Sequence, residues 1–290
     1  MESISCLYVV ATPIGHLSDL GPRARQVLQS VDYIAAEDTR RTKKLLQLLD
    51  IKIPKILSYY DQNENFRAKQ LIDMMQSEAK QVAIVSDAGT PCISDPGYRL
   101  VSAAHEAGIK VVPIPGASSV VTLISASGLP SDRFLFVGFL PTRENALEEE
   151  IKSWLRDSTS VVFFESPQRI RQTLHKLCEI VPGARLAIGR ELTKIHEEIT
   201  MLPVEDMLKY YSDDKLIKGE LACMLSLSGL PKTTGLSADN IKRNIEDEVR
   251  QAYLAGYSHK DLCRQYAKCG LTKKELFSFL LSVKNEGNLS

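Results

Sequence analysis

The sequence lacks an excess of charge of one sign, long apolar runs and a leader-like N-terminus. Its 36 Lys and Arg residues balance 36 Asp and Glu residues, which excludes a uniformly basic nucleic-acid coat but allows a local basic surface. No run approaches the roughly 18 apolar residues that a membrane-spanning helix needs. The segment MESISCLYVVATPIG has no basic residue before its short apolar run, so we expect no signal peptide. These absences favour a cytoplasmic enzyme with no membrane partner.

Paired cysteines and the common nucleotide-binding motifs are also missing. The cysteines are scattered, without the CxxC pairs that a structural zinc site shows, so we expect neither a metal nor disulfides. The chain contains no GxxxxGK[ST], no GxGxxG after a strand and no GxSxG. Phosphate-loop NTPases, Rossmann dehydrogenases and methyltransferases, and α/β-hydrolases are therefore disfavoured. The six cysteines are Cys6, Cys92, Cys178, Cys223, Cys263 and Cys269.

What is present is an alternation of short β-branched runs with longer segments of helical period. This pattern is typical of βαβ units and a mostly parallel sheet. The segment KIHEEITM alternates more evenly, which predicts an antiparallel strand in the second half. The predicted strands cover residues 7–11, 33–36, 82–86, 110–114, 134–137, 161–164, 185–188 and 221–227. One predicted helix places Phe66, Ala68, Leu71, Ile72 and Met75 on a single apolar stripe.

The 290 residues suggest two compact units, or two units and an appendage. Loops rich in Gly, Pro and Ser divide the chain at SGLPSDRF and again at SGLPKTTGLSAD. We predict an N-terminal α/β domain over residues 1–127, a second α/β domain over 128–231 and a small helical domain over 232–290. The last domain carries a net charge of +3. Its three expected helices either contact RNA as a helix-turn-helix or only pack as a bundle.

Three predicted strands run directly into loops of Pro, Gly, Ser and Asp. The segments are LYVVATPIGHLSD, VAIVSDAGTPCISDPG and VVPIPGASS. In an open α/β sheet, ligands bind at the carboxyl ends of the strands, where small residues let them approach the main chain. The three loops therefore predict one site lined largely by backbone. The alternative is that Gly and Pro only build tight turns.

Several motifs occur in an order that resembles one known family. They are ATPIGxLxD, AEDTR, SDAGTPxISDPG, PxPGAS, GLPSDRFxFxGFLP, FFESPxR, GRELTKxHEE and KGE. In this order they resemble the ribosomal RNA small subunit methyltransferase I family of the tetrapyrrole-methylase superfamily. The resemblance spans about residues 7–225.

The resemblance implies two α/β domains of tetrapyrrole-methylase type, with S-adenosylmethionine in the cleft between them and a small C-terminal helical domain. It also implies a homodimer that 2′-O-methylates a cytidine ribose in small-subunit (16S) ribosomal RNA, either free or in the assembled subunit. Two alternatives remain open from the residues alone. One is a methylase of a small, tetrapyrrole-type molecule, and the other is a non-catalytic ribosome- or RNA-binding relative.

The resemblance also implies the residues that hold the cofactor. Asp87 is the acid expected beside the sulfonium cation, although Asp also suits a loop cap. For Ser118 and Ser119, capping of the following helix is an alternative role. The implied cofactor residues are Pro13, Ile14, Gly15, Asp87, Ala88, Gly89, Ile93, Ser118, Ser119, Ser166 and Leu221.

For catalysis we select Asp95, which lies just beyond a cofactor loop where substrate would enter. Its alternative role is to cap a helix that begins near Pro96. The AEDTR motif adds Glu37, Asp38 and Arg40 as candidates, because Arg can clamp a phosphate while acids orient it or contact ribose. An acidic helix N-terminus is the alternative explanation for this motif. For the opposite charges in GREL and KGE, including Arg190, simple ion pairing is the alternative role.

The sequence departs from the family pattern where histidines or asparagine are usual. His16 replaces Asn, Tyr60 and Gln62 replace a pair of histidines, and Gln168 follows FFESP. These departures weaken any mechanism with a histidine base and favour carboxylates. Tyr59 or Tyr60 could instead stack on an exposed base, and core packing is the alternative for one of them.

Overall fold

The computed structural model describes residues 5–155, 160–211 and 217–228, together with Val249, Arg250, Tyr253, Leu262 and Phe279. The chain divides into two units, Met1–Leu230 and Pro231–Ser290. Most of the predicted helical domain lies outside the described residues. Along the described ranges, no helix has the length and apolar character needed to span a bilayer.

The first half of the first unit is a five-stranded parallel sheet with five helices. The strands are β1 (Cys6–Val10), β2 (Tyr33–Ala36), β3 (Lys55–Ser58), β4 (Gln81–Val85) and β5 (Lys110–Ile114). The helices are α1 (Pro22–Ser30), α2 (Thr39–Leu48), α3 (Glu64–Glu78), α4 (Tyr98–Glu106) and α5 (Ser119–Ser127). The strand order in the sheet is β3-β2-β4-β1-β5. Three helix ends carry recognisable signals: Pro22 opens α1, Asp38 caps α2 and Gly128 ends α5 in the left-handed region.

The second half is a mixed five-stranded sheet. The strands are β6 (Phe134–Phe139), β7 (Ser160–Glu165), β8 (Arg185–Arg190), β9 (Glu198–Pro203) and β10 (Leu221–Ser226). The helices are α6 (Glu144–Trp154), α7 (Ile170–Ile180) and α8 (Val204–Tyr210). The strand order is β6-β7-β10-β8-β9. Strands β6 and β7 are parallel, whereas β10 runs antiparallel to both of its neighbours and β9 runs antiparallel to β8.

The fold confirms the two α/β halves and the antiparallel strand in the second half, with three differences. Strand β3 was not predicted, because KILS is a short edge segment without alternation. The antiparallel strand begins at Glu198 rather than Lys194, since the chain turns with positive φ at Glu191 and Thr193. The placement of Phe66 was wrong: its side chain is 73% exposed, because it lies roughly 200° around the helix from Ala68.

The two halves meet through an apolar cluster and one close backbone approach. Helix α5 packs on the second sheet with Val120 and Leu123, beside Ile14 and Leu192. A Cβ at Gly15 would lie 2.6 Å from Thr193 Oγ1 and 3.0 Å from Leu192 O. Gly15 therefore lets the loop after β1 reach the loop after β8. We propose a seam at Gly128, between α5 and β6.

This close approach predicts that Gly15→Ser destabilises the protein. The added side chain must displace the loop after β8, and overpacking of this kind costs about 1–3 kcal/mol, which lowers the melting temperature by several degrees. Gly21→Ser is the matched control, because no described atom lies within 4 Å of its added Cβ and serine is a good residue at that helix N-cap. Thermal unfolding followed by circular dichroism measures both; equal melting temperatures for the two variants would contradict the packing role of Gly15.

Candidate active site

The loops after β1 and β4 are held together by two backbone hydrogen bonds. The Thr12 N–H donates to Gly89 O at 2.8 Å, and the Gly89 N–H donates to Thr12 O at 3.0 Å. Gly89 has a φ of +93°, in the region that favours glycine. Thr90 Oγ1 then donates to Ala117 O at 3.1 Å, which ties in the loop after β5. The three loops predicted to form one site therefore converge.

A cavity of about 440 Å³ lies beside these loops, within the size range of small-molecule sites. Its wall combines loops of the first sheet with residues at the ends of β7, β8 and β10. The wall residues are Ile14, Glu37, Arg41, Asp87, Ala88, Gly89, Thr90, Ile93, Ser94, Asp95, Ser118, Ser119, Val120, Phe139, Phe164, Glu165, Ser166, Pro167, Gly189, Leu192, Gly219, Glu220, Leu221 and Ala222.

The structure brings most of the predicted site residues to this wall. Of the candidates, Pro13, Gly15, Asp38 and Arg40 are not among its lining residues. Gly15 instead approaches the loop at Thr193. The predicted residues on the wall are Ile14, Glu37, Asp87, Ala88, Gly89, Ile93, Asp95, Ser118, Ser119, Ser166 and Leu221.

Asp38 and Arg40 neutralise each other beside the cavity. Asp38 caps α2 by accepting from the Arg40 N–H at 2.8 Å, and its other oxygen lies 2.9 Å from Arg40 Nη2. The guanidinium lowers the pKa of Asp38 to about 2. Asp38 therefore lies at an acidic helix N-terminus, the alternative explanation given for this motif.

Asp87 is held in place from two sides at the cavity wall. Its Oδ1 accepts from the Asp38 N–H at 3.0 Å, and its Oδ2 lies 3.1 Å from Arg41 Nη1. Burial and the charge of Asp87 raise the pKa of neighbouring Glu37. Arg41 is not among the site residues predicted from the sequence, yet side chains in the first helical turn lean toward the helix N-terminus. AEDTR marks the start of a helix, so this lean of the Arg41 side chain toward the helix N-terminus is the signal that would have placed it at the site.

Asp95 is an acid of the cavity wall whose pKa is strongly raised. Burial, followed by the negative charge of Glu37, raises the pKa of Asp95 to about 6. Asp95 does not cap α4, because the helix begins at Tyr98 and Gly97 occupies the cap position with a φ of 140°. A side chain at Gly97 would also collide with Cys92 Sγ at 2.9 Å. The carboxyl group of Asp95 is therefore a cavity group rather than a helix cap.

Glu165 orders the part of the wall that comes from the second sheet. Its side chain is buried and accepts from the Ser166 N–H at 2.8 Å and from Thr173 Oγ1 at 2.6 Å. Arg169 Nη2 lies 3.5 Å from the same carboxylate and donates to Pro141 O at 2.6 Å. Ser166 was predicted from the sequence but Glu165 was not, because its partner Thr173 lies in α7, beyond the FFESPxR motif.

Leu221 reaches the cavity because β10 is antiparallel to its neighbours. The first residue of β10 pairs with Glu165 at the end of β7 and with Arg190 at the end of β8. Charged side chains of GREL and KGE form ion pairs, but with partners outside those two motifs: Arg190 lies 2.8 Å from Glu198, and Lys194 lies between Glu191 and Glu220.

The side chains that replace the family histidines lie outside the cavity wall. Tyr59 is buried in the core of the first sheet, whereas Tyr60 is 40% exposed. Gln62 and Gln168 are also exposed. His16 accepts from the Ser18 N–H through Nδ1 at 3.3 Å. Ser118 occupies the N-cap position of α5, but its hydroxyl makes no capping bond to the described residues.

Solved structures share this architecture at low sequence identity. The uroporphyrin-III C-methyltransferase of Thermus thermophilus, solved with S-adenyl homocysteine, is 16% identical with a TM-score of 0.53, over 76% of this chain and 96% of that chain. The methyltransferase CobJ is 17% identical with a TM-score of 0.56, over 77% and 93%. At these identities the likeness shows the fold alone.

Sequence relatives are much closer. The chain is 38% identical over 283 residues to the ribosomal RNA small subunit methyltransferase I of Synechocystis sp.. The aligned region covers 97% of this chain and 99% of that protein. The chain is 45% identical over 221 residues to the protein of the same name from Vibrio cholerae, which covers 76% of each. The family model of tetrapyrrole (corrin/porphyrin) methylases matches residues 6–208. The chain therefore belongs to the tetrapyrrole methylase family and, within it, to the ribosomal RNA small subunit methyltransferase I family.

Proposed function

We propose that this chain transfers a methyl group from S-adenosylmethionine to the 2′-hydroxyl of a cytidine ribose in small-subunit (16S) ribosomal RNA. The observation that carries the proposal is the position of Asp95, a carboxyl group with a pKa of about 6, on the same wall as the converged strand-end loops. The nearly full-length relatives named for small-subunit ribosomal RNA methylation support the choice of RNA over a small-molecule acceptor.

The residues of the wall fit S-adenosylmethionine. Gly89 exposes main chain at a narrow turn, Ile14 and Leu192 offer apolar surface for an adenine ring, and Glu37 and Asp87 are carboxylates suited to a cationic ligand. When bound, the cofactor supplies a methyl group on a sulfonium leaving group. We assign it to Ile14, Asp87, Ala88, Gly89, Ile93, Ser118, Ser119, Ser166 and Leu221, with Pro13 and Gly15 supporting the loop that carries Ile14.

In this proposal Asp95 accepts the proton that the ribose hydroxyl releases. A base is most effective when its pKa lies near the working pH, and a pKa of about 6 leaves Asp95 mostly ionised at pH 7. Glu37 contributes by raising that pKa. Asp38 contributes through its backbone N–H, which holds Asp87. We assign Arg40, whose side chain is highly exposed beside Asp38, to contact with an RNA phosphate.

We also propose a homodimer in the cytoplasm that acts on the free RNA or the assembled small subunit. Exposed apolar side chains support a self-association surface: Ile195 is 93% exposed, and Ile199 lies on the edge strand β9. Contact with a second subunit would remove this apolar surface from water, which is favourable.

The direct test uses small ribosomal subunits purified from cells that lack the gene. Incubation with the purified protein and labelled S-adenosylmethionine should add one methyl group to the small-subunit RNA. Mass mapping of nuclease fragments should then place that group on a cytidine ribose. Incorporation into a base, or none with either free RNA or subunits, would contradict the proposed reaction.

Asp95→Asn should lower kcat roughly 10²–10⁴-fold, the usual contribution of a positioned base. The dissociation constant for S-adenosylmethionine, measured by calorimetry, should stay close to that of the wild type. The wild-type kcat should rise with pH through about 6 and then level off, because the deprotonated form of Asp95 is the active one. Asp73→Asn, on the exposed face of α3, is the control. A wild-type kcat in Asp95→Asn would remove Asp95 from the mechanism.

The same substitution should stabilise the fold above pH 6. Because folding raises the pKa of Asp95, ionisation of this carboxyl group opposes folding once the pH exceeds its unfolded value, and the penalty is complete above about pH 6. Solvent screens the partly buried group, so we expect Asp95→Asn to gain on the order of 1 kcal/mol at pH 8 and nothing at pH 3.5. Denaturant unfolding at both pH values measures the difference, and a loss of stability at pH 8 would contradict the burial of an ionised Asp95.

A further inference from the structure

Phe139 is an exposed aromatic side chain on the wall of the cavity. It ends β6, and 64% of it remains accessible to solvent. A phenylalanine left open on a cavity wall is unfavourable in water unless something covers it. The wall residues include a second aromatic side chain, Phe164, which is partly buried.

A β-bulge places Phe139 on this face. In the β6–β7 ladder, Phe136 pairs with Val162 but Phe139 pairs with Phe164, so two residues of β6 oppose one residue of β7. Since successive strand residues point to opposite faces, the extra residue reverses the face on which Phe139 would otherwise lie. Gly138 has a φ of 67° at this bulge, a conformation that glycine adopts readily.

The bulge also brings β6 to the loop that carries Asp95. A Cβ at Gly138 would lie 3.1 Å from Ser94 Oγ, on the residue directly before Asp95. The turn at Gly138 therefore approaches the proposed proton acceptor from the second sheet. Phe139 and Asp95 both line the cavity at this junction.

The ring of Phe139 is held by aromatic neighbours. Its centroid lies 5.4 Å from that of Phe164 with an interplanar angle of 57°, and Phe164 in turn lies 5.2 Å from Phe136 at 71°. Both distances and both angles are typical of favourable aromatic pairs. The ring is thus oriented before any ligand arrives, while much of its surface stays free.

We propose that Phe139 stacks on the base of the nucleotide whose ribose is methylated. This inference rests on the proposed function. A nucleotide that enters the cavity to bring its ribose hydroxyl to Asp95 gives up stacking on its neighbours in the RNA, and an aromatic side chain can replace that stacking. The wall that includes Phe139 carries the carboxylates of Glu37, Asp87 and Asp95, and of these three Asp87 pairs with Arg41. The negative charge that remains disfavours a phosphate there and leaves the uncharged base and ribose as the part of the RNA that enters.

The test compares Phe139→Ala, Phe139→Leu and Phe139→Trp with the wild type, using small subunits from cells that lack the gene and labelled S-adenosylmethionine. Loss of a stack should raise the KM for subunits about 10-fold in the Ala and Leu variants. The Trp variant, which keeps an aromatic face, should stay within about 2-fold of the wild type. Filter binding of subunits should weaken in parallel, while calorimetry should give an unchanged dissociation constant for S-adenosylmethionine.

Two other exposed phenylalanines serve as matched controls. Phe134 lies on the same strand and is 44% exposed, and Phe66 on α3 is 73% exposed; neither is among the wall residues. Phe134→Ala and Phe66→Ala should leave the KM for subunits unchanged. The inference is overturned if Phe139→Ala and Phe139→Leu match the wild type, if Phe134→Ala is equally impaired, or if the Phe139 variants lose affinity for S-adenosylmethionine. A wild-type protein that methylates nothing in the same assay would instead refute the proposed function, and the inference with it.

Discussion

The paired hydrogen bonds between Thr12 and Gly89 are the constraint on which the site depends. Parallel strands β1 and β4 would otherwise end in independent loops, each free to take many conformations. The exchange of two backbone bonds fixes both loops at once, and Thr90 extends the same fixation to the loop before α5. Because Gly89 holds a positive φ, a larger residue there would strain the turn. The cavity wall of the first sheet follows from this one junction.

Electrostatics divides the carboxylates of the wall into two kinds. Asp87 is fixed by a backbone N–H and by Arg41, so its charge is compensated and its position is set. Within the described ranges, Asp95 has no ion-pair partner, and burial, followed by the negative charge of Glu37, keeps its pKa high. Neighbouring acids in different environments can thus take different roles, one as a fixed charge and one as a proton acceptor. Arg41 causes the difference between the two acids, since it neutralises Asp87 and forms no ion pair with Asp95 in the described residues.

Sequence patterns predicted the strands and loops whose own residues determine them. The β-branched runs before ATPIG, SDAGTP and PGASS became β1, β4 and β5, and the loops that follow them converged. The edge strand β3 could not be predicted, because pairing with β2 rather than its own composition makes it a strand. Glu165 was missed for a similar reason, since its partner Thr173 belongs to the next helix. Phe66 was wrongly assigned to the buried face of α3, because it lies roughly 200° around the helix from Ala68 on that face.

The mixed topology of the second sheet explains how residues distant in sequence share one wall. In an all-parallel sheet, the first residue of β10 would lie at the opposite end of the sheet from the last residues of β7 and β8. Because β10 is antiparallel to both, Leu221 instead pairs with Glu165 and Arg190, at the strand ends that face the cavity. Ser166 directly follows β7 there, and the loop before β10 reaches the same place. Reversal of one central strand therefore lets an incoming and an outgoing segment line the same cavity, and no local sequence motif encodes that arrangement.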